Sequence, residues 1–280
     1  MHSFLKLNFL KILFITFFIF QLTTNISFAE IPPDIKKIIT RGKLIVAING
    51  IDYPPFFYHT ADNKFEGIDI DIAKDLAKYL DVNVEFNRSA KTFAEVIKLV
   101  ENEKADIAIS ALSGTLTRGI LVRVSDPYLI PNQVVIINRI LELKISNNIK
   151  IPPEKGKIAI LNNASYEDFS KQNYEFLKTN FKDFSIVKYD SLENAFNDVL
   201  EEKILGVYVD EVYANNLLSS NKKSNLYVRK KIIQDAIDPI CVILNWKSTN
   251  LANWINLYIR RMKNNGKEKQ LIKKYMRDIK

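Results

Sequence analysis

The spacing of apolar residues changes repeatedly after residue 42, and this pattern predicts short strands alternating with helices. Leu44 to Asn49 and Asp106 to Ser110 are short apolar runs of the kind that form buried strands. Between Asp69 and Leu80, apolar side chains recur at every third or fourth position, which indicates one face of a helix. Strands that alternate with helices in this way form an α/β fold with mostly parallel sheets.

The alternation restarts after Asp126-Pro127. Further strands are predicted at Val134 to Asn138, Lys157 to Leu161, Phe184 to Tyr189 and Leu205 to Val209, with helices over 165–178 and 192–200 and a mixed connection over 139–150. Ile240 to Leu244 is a last strand, and two helices follow it to the end of the chain.

Two series of about a hundred residues each predict two lobes of ordinary domain size. The last strand and helices have no third core to join, so we expect them to pack on the first lobe. The chain then crosses between lobes near 127–133 and near 236–240, and the lobes comprise residues 30–130 with 237–280 and residues 131–236. A cleft between two lobes joined by two crossover strands suits a small ligand, which hinge closure would enclose.

Residues 1–29 have the pattern of a secretory signal peptide. Lys6 and Lys11 precede the apolar run Ile12 to Phe20, and Ser27-Phe28-Ala29 supplies small residues at the two cleavage positions. The run is short for a membrane span, although an uncleaved anchor is the alternative interpretation. No cysteine directly follows the run, so we expect an unlipidated, exported protein that begins near Glu30 and works in the periplasm.

The composition argues against several kinds of binding site. Forty Lys and Arg against 32 Asp and Glu give a net charge of +8, but the basic residues are spread along the chain, which is a poor pattern for a nucleic-acid partner. With one cysteine, Cys241, and two histidines, the chain cannot form an intramolecular disulfide or a four-ligand Cys/His zinc site. The glycines form no GxGxxG or phosphate-binding loop. We therefore predict no metal and no cofactor.

Candidate binding groups follow the predicted strands, where ligands of open α/β sheets bind. Tyr53 lies in an aromatic turn after the first strand, and the segment Ser110 to Arg118 combines hydroxyl groups with one guanidinium that suits a carboxylate. A helix start with a solvated arginine has the same sequence. Ser165 and Asp210 lie at helix starts of the second lobe, where each can bind a ligand or act only as an N-cap. A cation and an anion on opposite lobes would suit a zwitterion, and amino acids are the simplest ones.

These segments, in this order, resemble the periplasmic solute-binding proteins of polar amino-acid ABC transporters, extracellular solute-binding protein family 3. The most telling are Tyr53-Pro54-Pro55-Phe56, Gly67 to Ala73, Asp106 to Ser110, Ser113 to Arg118 and Ser125-Asp126-Pro127-Tyr128. The similarity runs over nearly all of the chain after the leader. It implies a two-lobed periplasmic-binding-protein fold of type II and a non-enzymatic, monomeric receptor. That receptor captures a polar amino acid by hinge closure and passes it to an ABC transporter permease in the inner membrane.

The resemblance also implies roles for single residues of the first lobe. Tyr53 and Phe93 match the aromatic walls around the ligand. Ser110, Ser113 and Arg118 match the groups that hold the α-amino and α-carboxylate ends of the ligand.

In the second lobe, the resemblance assigns Ser165 to the ligand carboxylate and Asp210 to its α-ammonium group. The chain departs from the family where Asn163-Ala164-Ser165 replaces the usual Gly-Thr/Ser-Thr, so the backbone approaches a ligand less freely there. Gly50 stands three residues before Tyr53, where members that bind cationic side chains often carry an acid. This position therefore does not favour a cationic ligand.

An enzyme is the alternative function, because secreted cyclohexadienyl and arogenate dehydratases are similar to this family. Such an enzyme needs a carboxylic acid in the cleft as a general acid. Asp52, Glu167 and Asp210 are the candidate acids, although acids are common at helix starts.

Overall fold

The computed structural model describes residues 30–221 and 224–275, so the predicted signal peptide lies outside the described residues. Within this part of the chain, no helix has both the length and the apolar character needed to cross a membrane.

The chain first forms the elements of one α/β lobe, which we call lobe 1. Its strands are β1 (Lys43–Ala47), β2 (Tyr58–His59), β3 (Phe65–Glu66), β4 (Asn83–Asn87), β5 (Ile107–Ala108) and β6 (Arg123–Leu129). Its helices are α1 (Pro33–Arg41), α2 (Ile68–Tyr79), α3 (Phe93–Glu101) and α4 (Leu116–Leu121).

A second series of strands and helices follows, which we call lobe 2. The strands are β7 (Asn132–Asn138), β8 (Lys157–Leu161), β9 (Ser185–Tyr189), β10 (Gly206–Asp210) and β11 (Val228–Ile237). The helices are α5 (Arg139–Ser146), α6 (Tyr166–Gln172), α7 (Tyr174–Phe181), α8 (Leu192–Leu200), α9 (Glu211–Ser220) and α10 (Ser224–Tyr227). The chain then forms β12 (Ile240–Leu244), α11 (Thr249–Asn264) and α12 (Lys267–Tyr275).

Two five-stranded sheets organise the molecule, in the orders β4-β1-β5-β12-β6 and β11-β7-β10-β8-β9. β1 is parallel to β4 and β5, whereas β12 is antiparallel to β5 and β6. In the second sheet β8 is parallel to β9 and β10, while β7 is antiparallel to β10 and β11. The chain thus passes from the first sheet to the second after β6 and returns after β11.

The two connections between the sheets touch each other. The backbone N–H of Asp238, between β11 and β12, donates to the carbonyl oxygen of Pro131, between β6 and β7, at 2.8 Å. The Gln133 side chain adds a second link, from its Nε2 to the carbonyl oxygen of Ile237 at 3.3 Å. The paired connections therefore form one short bridge between the lobes.

The central strands carry the most apolar sequences because both of their faces are covered by helices. All residues of β10 and of β12 are buried. Helix α2 packs seven buried residues onto the first sheet. Six of them are apolar, and they include Ile72 and Leu76 at the predicted spacing. The alternation of strands and helices predicted from the sequence is therefore the architecture of the core.

The structure differs from the predicted elements at several points. One helix was predicted over 165–178, but the chain forms α6 and α7 with a break at Asn173, whose side chain turns to hydrogen bonds with Tyr208 and the carbonyl oxygen of Phe169. The mixed connection after Asn138 begins with α5, because the Asn138 side chain accepts from the backbone N–H groups of Ile140 and Leu141. Strand β11 was not predicted.

Candidate functional site

The aromatic turn after β1 is fixed by a close backbone contact. Gly67 has a φ of 138°, and a Cβ at this position would lie 2.1 Å from the carbonyl oxygen of Phe56. Only glycine permits this approach, which lets the backbone N–H of Asp69 donate to that same oxygen at 2.9 Å. The turn is thereby held on the start of α2, and Tyr53 is buried at its beginning.

Tyr53 lies at the centre of an aromatic cluster built from both lobes. Its ring stacks on Tyr213 of lobe 2 with centroids 4.1 Å apart, and its edge meets Phe93 of lobe 1 at 5.6 Å. Phe93 is in place because the Thr92 hydroxyl accepts from the N–H of Glu95 and so begins α3 at Phe93. The two residues predicted as aromatic walls, Tyr53 and Phe93, therefore contact each other within lobe 1, and Tyr53 also contacts Tyr213 of lobe 2.

The two predicted serines of lobe 1 have different surroundings. Ser110 is fully buried, and its hydroxyl oxygen accepts from the backbone N–H of Asn49 at 3.0 Å. Ser113 reaches across the cleft, where its Oγ lies 2.7 Å from the Oγ of Ser165. The Ser165 side chain makes no capping hydrogen bond to α6. Its hydroxyl serves the contact between lobes rather than the helix start.

Arg118 lies on α4, beside this serine pair. The Thr115 hydroxyl accepts from the N–H of Arg118 and begins the helix, and one Nη of Arg118 donates to the carbonyl oxygen of Ser113 at 2.7 Å. Burial lowers the pKa of the guanidinium, while the carboxylates of Asp238 and Asp168 oppose that effect. Arg118 is thus a cation near the carboxylates of Asp168 in lobe 2 and Asp238 in the connection.

Asp210 is the last residue of β10 and is buried, with a relative exposure of 1%. One carboxylate oxygen accepts from the N–H of Tyr213 at 2.9 Å, so the residue is an N-cap for α9. The other oxygen accepts from the hydroxyl of Tyr166 at 2.9 Å. Burial raises the pKa of Asp210, and the hydrogen bonds from Tyr213 and Tyr166 oppose this rise.

Three further residues of this region were not found from the sequence. The hydroxyl of Tyr166 lies 2.9 Å from that of Tyr53, so Tyr166 connects Tyr53 of lobe 1 with Asp210 of lobe 2. Tyr213 stacks on Tyr53, and Asp238 lies in the second connection. Tyr166 and Tyr213 follow Ser165 and Asp210 by one and three residues, and this closeness to predicted ligand-binding residues is the signal that could have suggested them.

A cavity of about 290 Å³ opens beside Tyr53 and is lined by both lobes. Lobe 1 contributes Asn49 and Phe93, and lobe 2 contributes Leu161, Asn162 and Glu193. The Glu193 carboxylate accepts a hydrogen bond from the Tyr213 hydroxyl. The cavity thus combines apolar walls with polar groups, a composition that suits a small polar molecule.

Six of the seven predicted residues form two groups, with Tyr53, Phe93 and Asp210 in one and Ser113, Arg118 and Ser165 in the other, whereas Ser110 hydrogen-bonds to the backbone of Asn49. Contacts between side chains join Tyr53 to Phe93, Ser113 to Ser165, and Tyr53 through Tyr166 to Asp210. In residues 30–221 and 224–275, no group of three or more His, Cys, Asp or Glu is arranged to hold a metal ion. The chemistry available here is that of charged hydrogen-bonding groups and aromatic rings.

Comparison with known proteins identifies the family of this chain. A model of the bacterial extracellular solute-binding proteins, family 3, matches residues 44–278. ABC transporter arginine-binding protein 1 of Escherichia coli (strain K12) is 30% identical over 179 residues, which cover 64% of this chain and 68% of that protein. The arginine-binding periplasmic protein of Mannheimia haemolytica is 24% identical, over 80% of this chain and 87% of that protein.

Solved structures share the fold. The crystal structure of an ancestral amino acid-binding protein, described as a precursor of cyclohexadienyl dehydratase, is similar with a TM-score of 0.68 at 25% identity, covering 87% of this chain and 99% of that chain. This similarity confirms the predicted two-lobed α/β fold, and the family match confirms the resemblance found in the sequence. The chain belongs to the bacterial extracellular solute-binding proteins, family 3.

Proposed function

We propose that this protein captures a polar amino acid between its two lobes and presents it to an ABC transporter permease of the inner membrane. The observation that carries the proposal is the pair of opposite charges on the two lobes, Arg118 on α4 and Asp210 at the end of β10. The Tyr166 hydroxyl donates to Asp210, and the preceding residue, Ser165, contacts Ser113, whose carbonyl oxygen accepts from Arg118. A zwitterion has one group for each of these charges.

Each site residue then has a role toward such a ligand. Arg118, with the hydroxyls of Ser113 and Ser165, binds the α-carboxylate, because the guanidinium and hydroxyl groups are donors. Asp210 accepts from the α-ammonium group. Ser110 positions the loop through its hydrogen bond with Asn49.

The aromatic pair, Tyr53 and Phe93, contacts the aliphatic part of the ligand, and the adjoining cavity takes its side chain. Leu161 offers an apolar wall there, and Glu193 and Asn162 offer polar groups. The names of the relatives make arginine the first candidate. Gly50 supplies no acid for a cationic side chain, so a neutral polar amino acid is the second candidate.

Ligand capture requires the two lobes to move as units. The proposed units are residues 30–130 with 237–280 and residues 131–236, joined by the paired connections at Pro131 and Asp238. Two short connections linked by a hydrogen bond restrict the motion to bending about the bridge, as in hinge closure.

The proposed site of action is the periplasm. The leader pattern of residues 1–29 supports export, and the family is extracellular. In this proposal the leader is cleaved before Glu30, the product carries no lipid, and the protein acts as a monomer.

Two of the three candidate acids, Asp52 and Glu167, fit a binding role better than a dehydratase, whereas burial raises the pKa of the third, Asp210. Asp52 is paired with Arg88 at 2.7 Å, and despite its partial burial its hydrogen bonds with His59 and Arg88 hold its pKa below the usual value. Hydrogen bonds from Lys188 and Lys171 likewise lower the pKa of Glu167. A general acid at neutral pH needs the opposite shift. Incubation with prephenate or arogenate tests the enzyme directly, and formation of an aromatic product would favour it.

A thermal-shift screen tests the proposed function. The protein is unfolded in guanidinium, dialysed to remove any co-purified ligand, refolded and mixed with each of the twenty common amino acids. An amino acid at about a hundred times its Kd stabilises the folded state by ~2.7 kcal/mol, which gives a clear rise in Tm. If none of the twenty raises the Tm, the proposal is wrong.

The role of Arg118 is tested by Arg118→Ala and Arg118→Lys. We expect Arg118→Ala to abolish the ligand-induced rise in Tm, and Arg118→Lys to retain part of it, because lysine keeps the charge but not the planar fork. Arg260→Ala, on the exposed side of α11, is the matched control and keeps the full response. Normal binding by Arg118→Ala would refute the carboxylate assignment.

A further inference from the structure

Asp238 is a buried acid at the point where the chain returns from lobe 2 to lobe 1. It lies between β11 and β12, and its relative exposure is 1%. Its backbone N–H donates to Pro131 of the other connection. Burial raises the pKa of Asp238, and Ser113, whose hydroxyl contacts Ser165 across the cleft, opposes this rise. The carboxylate therefore belongs to the region where the two lobes and the bridge meet.

The hydrogen bonds of the two buried acids differ. Both oxygens of Asp210 accept from the protein, one from the Tyr213 N–H and one from the Tyr166 hydroxyl. The Oδ1 of Asp238 is buried and has no hydrogen-bond partner among the described residues. A buried carboxylate oxygen without a donor is unfavourable, and such groups in native proteins have a reason. One oxygen of Asp238 therefore has no donor at all, whereas each oxygen of Asp210 already accepts one hydrogen bond and keeps one lone pair for a further donor.

The two buried carboxylates, Asp238 and Asp210, are balanced by a single guanidinium, so one more cation is favourable near them. Arg118 and Asp210 both act on it electrostatically, and they come from α4 and from the end of β10. The negative charge of Asp238 also raises the pKa of four nearby groups, which are Tyr128 on β6, Tyr166 on α6, Tyr208 on β10 and Cys241 on β12. When both acids are ionised, two negative charges face one guanidinium. Burial raises the pKa of Asp238 to about 7, and the charge of Asp210 adds to this rise.

We propose that Asp238 is a further ligand-binding residue, whose Oδ1 accepts from the α-ammonium group of the amino acid, which is held between Asp238 and Asp210. This inference rests on the proposed function and adds an acid that the resemblance did not assign. An ammonium group has three donors, so it can bind both carboxylates at once. The ligand then contacts the bridge between the lobes as well as each lobe.

Matched ligand pairs that differ only in the ammonium group test the proposal. The pairs are L-alanine with L-lactate, L-arginine with its 2-hydroxy analogue, and L-glutamate with 2-hydroxyglutarate. The affinity of each is measured by calorimetry, and the pair whose amino acid binds the wild type most tightly is used. Asp238→Asn is the test variant, and Asp235→Asn is its control, because Asp235 is an exposed acid of β11 whose φ of 58° asparagine also adopts.

We expect Asp238→Asn to reduce the preference for the amino acid over the hydroxy acid by about tenfold or more, the usual effect of losing a hydrogen bond to a charged group. Asp235→Asn keeps the wild-type preference. If Asp238→Asn weakens both members of the pair equally, or neither, the proposal is wrong and Asp238 has only a structural role. Asp238→Ser repeats the measurement if the amide variant does not fold. Absence of binding by the wild type would instead refute the proposed function.

Discussion

Replacing Asp69 with asparagine is expected to change how the stability of the protein depends on pH. Asp69 is the second residue of α2 and is fully buried. One carboxylate oxygen accepts from the backbone N–H of Ala111 at 2.7 Å, and the other accepts from the hydroxyl of Tyr128 at 2.7 Å. Burial raises the pKa of Asp69 to about 7, although both hydrogen bonds act in the opposite direction. In the unfolded chain an aspartate has a pKa of about 3.9.

The magnitude follows from this difference in pKa. The folded protein binds the proton of Asp69 more tightly than the unfolded chain does, so the free energy of unfolding falls as the pH rises from about 4 to about 7 and is constant above that. Each pH unit in this window corresponds to about 1.4 kcal/mol, so between pH 5 and pH 8 the loss from Asp69 is ~3 kcal/mol. The amide of Asp69→Asn does not titrate. Its oxygen still accepts from Ala111, and its NH₂ group donates to Tyr128.

The assay is urea unfolding at several pH values, followed by the fluorescence of Trp246 and Trp254. We expect the stability of the wild type relative to Asp69→Asn to fall by ~3 kcal/mol from pH 5 to pH 8. Asp81→Asn changes an exposed aspartate beyond the same helix and should leave the difference constant. Parallel pH curves for the wild type and Asp69→Asn would refute the reasoning.

Three further predictions concern the cleft. Tyr166→Phe removes the hydroxyl that joins Tyr53 to Asp210 and should destabilise the protein by about 1–3 kcal/mol in urea unfolding, because buried partners lose a hydrogen bond; unchanged stability would contradict this. Ser165→Ala removes the contact with Ser113 and should weaken amino-acid binding about fivefold by calorimetry, the equivalent of ~1 kcal/mol; equal affinity would show that the hydroxyl contributes nothing. The affinity of the wild type for its amino acid should fall as the pH drops from 8 to 6, because protonation removes the negative charge of Asp238 that attracts the ammonium group, whereas a flat profile would argue against that contact.

The buried strands could be predicted from the sequence, because a continuous apolar run indicates a strand whose two faces are both covered. Strands β8 and β12 have the predicted bounds, Lys157–Leu161 and Ile240–Leu244. Strand β11 was missed because it is an edge strand that pairs only with β7, and its residues 229–231 are basic. An edge strand with charged residues lacks the apolar signal on which the prediction depends.

For the candidate site, the sequence could predict individual residues but not the contacts between them. Loops at strand ends and the family pattern pointed to Arg118 and Asp210, but hydrogen bonds between lobes depend on the three-dimensional arrangement. Tyr166 is an example, because the residue after Ser165 has no sequence feature that pairs it with Tyr53. Asp238 lies within the predicted crossover, yet nothing in the sequence indicates that its side chain is buried.

The position of β12 inside the first sheet has a consequence for folding during synthesis. All strands of the second sheet come from residues 132–237, so that sheet can be completed while translation continues. The first sheet has β5 and β6 on either side of β12, and it stays unfinished until residues 240–244 leave the ribosome. Although lobe 1 is synthesised first, its sheet is completed last, and its growing chain exposes two unpaired inner strand edges for the longest time.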